Sequence, residues 1–246
     1  MNSQRKFGAL ALAALLLLAL APDADAQRRR ARREPAPPPP PAVAQHVTIM
    51  DGASGAILFC DNCQAPVPPA SMAKLMTVLI ALERLEAGQL TLDTQFTMSD
   101  ELWSRYRGGA AGSTMFIPAR ASVSVRDLLQ GIIVVSANDG SASLATGIAG
   151  SEAAFVAIMN RRAQELGLRS ARFRNVAGLD DPEQRISTAD LARLARHIIV
   201  TYPEFYRIYS QREFTFNNIT QRNRNPLLGT YPGADGVKTG HTDDSG

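Results

Sequence analysis

The 246-residue chain is predicted to fold as an α+β domain. A hairpin pattern comes first, a series of amphipathic helical patterns follows, and strand-like sequence returns only near the end. That order differs from the regular alternation of an α/β sheet. Apolar residues make up 45% and charged residues 20%, which is ordinary for a globular protein, and the length suffices for one sizeable core. No internal repeat is visible.

The elements follow in chain order. HVTIMDG and AILFCDN, separated by the turn-rich ASG, predict a hairpin. In PPASMAKLMT (68–77) two prolines precede Met72, Leu75, Met76, Leu79 and Leu82, which recur at the spacing of one buried helical face, so Ser71 lies at or just inside a helix start. That helix is expected to run to about Ala87 and stop at Gly88. After the Gly-rich RGGAAGS (107–113), SVRDLLQGIIVV predicts a helix that ends at SANDG (136–140). SEAAFVAIMNRRAQELGL (151–168) opens on a capping Ser151, and STADLARLARHIIV (187–200) opens on Ser187 or Thr188. GVKTGHT (236–242), with a valine, threonines and bounding glycines, suits a short strand.

The N-terminus has a separate logic. Arg5 and Lys6 precede the apolar run 8–21, and Ala24 and Ala26 flank Asp25, the layout of a secretory signal cleaved after Ala26. The run is too short to span a bilayer comfortably. The mature protein is therefore expected outside the cytoplasm, in the periplasm or cell envelope. Residues 27–45 hold five arginines and a proline run, an extended linker with nothing to bury. The expected division is a signal segment (1–26), a linker (27–45) and one catalytic domain (46–246). Residues 1–45 carry seven basic and three acidic side chains, so a total of +3 leaves the rest at −1. A nucleic-acid partner is excluded on that balance. Cys60 and Cys63, in CDNC, favour a local disulfide over a redox centre, and neither they nor any HExxH pattern supplies a metal site. His197 falls in a helical pattern as a packed or surface residue, and no G-x-S-x-G elbow accompanies it.

Three short motifs carry the chemistry. Ser71 and Lys74, three apart on a helix start, direct a hydroxyl and an amine to one place. Alone this pair would be read as a helix cap. Ser136 and Asn138 sit in a turn between helices, and Lys238, Thr239 and Gly240 add a second ammonium, a hydroxyl and a glycine that admits a close substrate backbone. A Lys-Thr-Gly triplet is expected by chance only about 0.03 times in such a length. S-x-x-K, S-x-N and K-T-G in that order are a strong signal.

From about residue 46 onward the chain resembles the penicillin-recognising serine enzymes, and within them the low-molecular-mass D-alanyl-D-alanine carboxypeptidases. PPASMAKLMT, VVSANDG, GSEAAFVAIMN, ELGL, NRNPLL and DGVKTGHTDDSG carry the likeness. It implies a β-lactamase/transpeptidase-like fold, with a helical cluster packed on an antiparallel sheet and the site between them. It implies acylation of Ser71, Lys74 as its base, and Ser136, Asn138 and Lys238 completing the proton network. Thr239, His241 and Thr242 match positions lining the substrate channel, and Arg224 in NRN matches a residue near the terminal carboxylate. Two departures concern pocket shape: SAN stands for the commoner SGN, and Arg120 stands where glycine is usual.

The chemistry is coherent on its own terms. A lysine can take the serine proton only when neutral, and burial beside a second ammonium lowers its pKa. The Ser71 N–H and an N–H beyond Lys238 would form an oxyanion hole. No cofactor is required. The partners implied are peptidoglycan stem peptides, with β-lactams as covalent inhibitors. Alternatives are an endopeptidase of the same type, a β-lactamase, disfavoured because FRNVAGL (173–179) reads FxNxxGL as in carboxypeptidases, and a non-catalytic wall-binding protein. Many relatives continue into a β-rich domain and an amphipathic helix. The expectation is therefore of a fragment with a sheet of about three strands, its peripheral membrane association lying in a C-terminal segment beyond Gly246.

Overall fold

The computed structural model describes residues 44–108 and 112–242. The expected signal segment, almost all of the linker and the centre of the Gly-rich run at 109–111 lie outside them. The hairpin forms as predicted: β1 (Val47–Met50) pairs antiparallel with β2 (Ile57–Asp61), with Thr48 opposite Cys60 and an irregularity after Ile49. Cys60 and Cys63 are joined in a disulfide at its end.

A 3₁₀ turn, Ala70–Ala73, leads into α1 (Lys74–Glu86). The apolar spacing predicts one buried face, but the residues from Lys74 to Leu82 are all buried. The reason is position, since α1 packs against four other helices and over this stretch has no face left for solvent. They are α3 (Val125–Val134), α4 (Asn138–Ala149), α5 (Glu152–Glu165) and α6 (Thr188–Thr201). The short α2 (Asp100–Tyr106) precedes them, and α7 (Pro203–Tyr206) follows with a 3₁₀ turn, Arg207–Ser210.

Serines start most of these helices. Ser99, Ser124, Ser151 and Ser187 each accept, through Oγ, the backbone N–H three residues on, which contributes about 1 kcal/mol per cap. At the other end of α4, Gly150 takes the left-handed conformation (φ 79°) that only glycine adopts without strain. Helix α6 covers the first hairpin: Thr48 and Thr188 hydroxyls meet at 2.8 Å, and the Arg196 guanidinium donates to the Gly52 and Ala53 carbonyls.

One further antiparallel pair and one further hairpin escape the sequence reading. β3 (Gln95–Thr97) pairs with β4 (Ser122–Ser124), and β5 (Glu213–Phe216) pairs with β6 (Ile219–Arg222). The described strands thus form three two-stranded ladders in place of the expected three-stranded sheet. The strand expected at 236–242 is also not formed. A strand needs a ladder partner, and the nearby hairpins are paired within themselves. Other bonds hold this segment: the Asn225 amide donates to the Gly236 carbonyl (3.1 Å) and the Tyr206 hydroxyl to Asp235 (2.8 Å).

Candidate active site

The 3₁₀ turn explains why Ser71 and Lys74 meet. Residues three apart eclipse one another in such a turn, and Lys74 Nζ lies 2.8 Å from Ser71 Oγ. Lys74 is fully buried, and its amine also donates to the Ala177 carbonyl at 2.5 Å. One helical turn further on, the Thr77 hydroxyl donates to the Val176 carbonyl. Segment 176–178 is thereby laid along the start of α1.

Two glycines set the closeness of approach. A Cβ on Gly178, whose φ is +81°, would stand 1.9 Å from the Ala70 carbonyl oxygen. Ala70 itself has φ +47°, a costly conformation for a residue with a side chain, held by the backbone packed against it. Gly240 comes at the same turn from the other side: a Cβ there would lie 3.0 Å from both Ala70 Cβ and the Pro69 carbonyl, and 3.3 Å from the Ser71 nitrogen. The K-T-G segment therefore passes directly over the Ser71 backbone, as an oxyanion hole built from both requires.

The S-x-N turn joins α3 to α4. Ser136 has φ +62° and is nearly buried, and its Oγ accepts from Lys238 Nζ at 3.0 Å. Lys238 also donates to the Thr239 carbonyl. Asn138 is buried at the start of α4, its N–H bonded to the Ser113 carbonyl, and Gly112 leaves room for its side-chain amide. Asp139 follows, accepting the N–H groups of Met115, Ile117 and Gly140, which clamps 115–117 onto α4.

Arg224 holds its side chain along the rim. It donates to the Val135 carbonyl and to Gln221 Oε1, and its own N–H bonds the Val134 carbonyl. His241 is exposed and Thr242 partly buried at the end of the segment. Arg120 is an exposed turn residue at φ +61°, paired with Asp100. The backbone there has the glycine-like conformation although the side chain is arginine. A cavity of about 160 Å³ is lined by Trp103, Thr114, Phe116 and Asp139, and its described lining includes neither Ser71 nor either lysine. The candidate reacting groups lie instead where the Ser71 turn faces the 238–240 segment.

The electrostatics shift both lysines downward. Burial holds Lys74 well below the usual lysine range, the nearby Lys238 ammonium lowers it further, and Asp139 opposes both. Burial brings Lys238 down to about 7, with the Arg224 guanidinium as the second cause. The Lys238 residue as a whole keeps partial solvent access, while its ammonium is bonded to Ser136 Oγ and the Thr239 carbonyl. Both shifts favour the neutral amine, Lys74 through complete burial and Lys238 with its value brought down to about 7.

A profile of D-alanyl-D-alanine carboxypeptidases matches residues 33–246. The chain belongs to that family. It is 42% identical over 204 residues to the D-alanyl-D-alanine carboxypeptidase DacA of Haemophilus influenzae, a match covering 82% of this chain and 51% of that protein. Penicillin binding protein 5 from the same organism superposes with a TM-score of 0.78 at 42% identity, over 83% of this chain and 59% of the other. Penicillin-Binding Protein D2 from Listeria monocytogenes, in its cefotaxime-bound form, gives 0.71 at 30% identity, over 82% and 80%. The chain spans about half the length of the curated relatives it matches. The family likeness read from the motifs and the α+β class read from the order of the elements are borne out.

The motif reading overlooked the loop after α5. FRNVAGL served there only to distinguish reaction types, whereas in the fold it supplies the Ala177 carbonyl and the Gly178 backbone to the site. The available signal was Asn175 three residues before Gly178, a turn pattern with a left-handed end.

Proposed function

We propose that this chain carries the active site of a serine D-Ala-D-Ala carboxypeptidase that trims the terminal D-alanine from peptidoglycan stem pentapeptides. The observation that carries this reading is the 2.8 Å contact between Ser71 Oγ and the buried, neutral-leaning Lys74 amine. Ser71 Oγ attacks the carbonyl of the penultimate D-alanine while Lys74 Nζ takes the hydroxyl proton. The N–H of Ser71 and one from the segment beyond Lys238 stabilise the oxyanion. As the C–N bond breaks, the leaving amine receives a proton through Ser136, which Lys238 and Asn138 orient. Water then attacks the ester, releasing the shortened peptide and restoring Ser71.

Recognition falls to the other wall. Thr239, Gly240, His241 and Thr242 line the groove over Ser71, and Arg224 with Thr239 and Thr242 offers charge-assisted bonds to the terminal carboxylate. β-Lactams acylate the same serine. The expected signal segment assigns this work to the periplasm or cell envelope.

The test combines labelled penicillin with a defined pentapeptide. Covalent label on Ser71 and release of a single alanine, followed by mass spectrometry, are the expected results. Cleavage of a cross-linked dimer in preference to the pentapeptide would replace the reading with an endopeptidase. Rapid turnover of penicillin would point to a β-lactamase, and absence of label to a wall-binding protein.

A further inference from the structure

The peptide unit between Ala177 and Gly178 is gripped from both sides. Its carbonyl accepts from Lys74 Nζ, and its N–H donates to Asn175 Oδ1 at 2.7 Å. In a trans peptide these two groups point in opposite directions. Asn175 and Lys74 therefore hold the two edges of one plane. The same Oδ1 also accepts the N–H groups of Ala177 and Leu179.

Gln184 is the buttress behind this turn. It is 2% exposed, and its Oε1 accepts the N–H groups of Arg174 and Asn175, both at 3.0 Å. Its amide nitrogen and that of Asn175 both donate to the Leu179 carbonyl. At the neck of the loop, Arg172 and Arg185 exchange backbone bonds, so the loop's ends are fixed as well.

This arrangement matters because a neutral amine has one lone pair and two N–H groups. To accept the Ser71 proton the lone pair must face the hydroxyl, and rotation about the Cε–Nζ bond would present an N–H instead. A carbonyl that accepts one N–H excludes the rotamer that turns the lone pair away onto that carbonyl, and it remains a partner for the ammonium after transfer. We propose that Asn175 and Gln184 are positioning residues for the Lys74 amine, acting by fixing the direction in which the Ala177 carbonyl points. The inference rests on the reading of Lys74 as the base.

The test is the rate of acylation by labelled penicillin across pH 5 to 10, with thermal melting of each variant. Asn175→Ala is expected to lower the plateau rate about 10- to 100-fold, the scale of a small misplacement of a reacting group. Asn175→Asp keeps the acceptor and should recover the plateau to within about threefold of wild type. Its added negative charge across the peptide should move the acidic limb of the profile to higher pH. A general loosening of the loop would produce neither the recovery nor that shift. A wild-type plateau in Asn175→Ala, or an Asp variant no better than the Ala variant with both folded, would overturn the proposal. If Asn175→Ala fails to melt cooperatively, Gln184→Met decides by the same plateau. A fall of at least about fivefold supports positioning, and an unchanged rate refutes it. Lys74→Ala in the same assay separates the two readings: wild-type labelling there means the base assignment has failed, not the positioning.

Discussion

The two walls of the groove are built differently. The wall bearing Ser71, Lys74, Ser136 and Asn138 is made of helix starts at the centre of the core, where every neighbour is packed and Lys74 is wholly buried. In the wall bearing Arg224 and Lys238 to Thr242, segment 236–242 forms no ladder and is held by side-chain bonds from Asn225, Tyr206 and Lys238, while the Arg224 N–H bonds the Val134 carbonyl. The first fixes atoms to be matched within tenths of an ångström, as proton transfer requires. The second lacks a ladder along 236–242 and is tied by fewer backbone bonds. On the proposed reading, chemistry falls to the wall buried in the core and recognition to the wall that lacks a ladder.

The largest effect should come from the wall buried in the core. Lys74→Ala is expected to reduce acylation by penicillin about 10³-fold, within the range for loss of a general base. Circular dichroism should show the fold intact, because the removed group is a buried amine whose desolvation opposed folding. Labelling at the wild-type rate would remove Lys74 from the mechanism.

Next comes a matched pair of glycine replacements. Gly178→Ala would push a Cβ into the Ala70 carbonyl at 1.9 Å from a left-handed backbone, with neither side able to retreat. Acylation should fall about 100-fold and the melting temperature by several degrees, on the scale of severe overpacking. Gly240→Ala meets its neighbours at 3.0 Å on a segment outside any ladder, so about a tenfold loss with little change in melting is expected. Equal losses of stability in the two variants would contradict the contrast between the walls.

Much of the wall buried in the core was legible in the sequence, and the reason is local. The spacing from Ser71 to Lys74, the serine caps and the apolar periodicity of α3, α5 and α6 are short-range patterns that the chain realises as written. What escaped depends on distant partners. The burial of α1 on all sides follows from four helices elsewhere in the chain. The 236–242 segment has strand composition, but composition supplies no partner. The role of Ala177 was invisible because a backbone carbonyl has no residue signature. Only Asn175 and Gly178 around it betray the turn.

The recognition wall is tested by how losses divide between substrates. Arg224→Ala should reduce turnover of a pentapeptide about tenfold while slowing acylation by a small penicillin by no more than about threefold, a split between recognition and chemistry. Kinetics on both substrates with one preparation supply the check. Equal losses would make Arg224 a brace for the Val134 and Val135 carbonyls and nothing more.

The smallest effect concerns pH and stability, and it asks which wall holds the titrating charge. Lys238 has its folded value brought down to about 7 from 10.5, and Lys74 is shifted in the same direction. Between about 7 and 10.5 the unfolded chain therefore binds more protons than the folded one, and stability must rise with pH in that window. Below it Lys238 is charged in both states, and its full penalty is already present. The slope per lysine is at most about 1.4 kcal/mol per pH unit, and solvent access at Lys238 reduces it further. Melting temperatures at constant ionic strength should climb by a few degrees between pH 7 and 9 in the wild type. Lys238→Gln should remove part of that climb and leave the part due to Lys74, whose burial is complete. Lys74→Ala should remove the other part. If Lys238→Gln leaves the whole slope unchanged, the Lys238 ammonium is better solvated than its contacts with Ser136 and Thr239 imply, and the wall that lacks a ladder is more open to solvent than described.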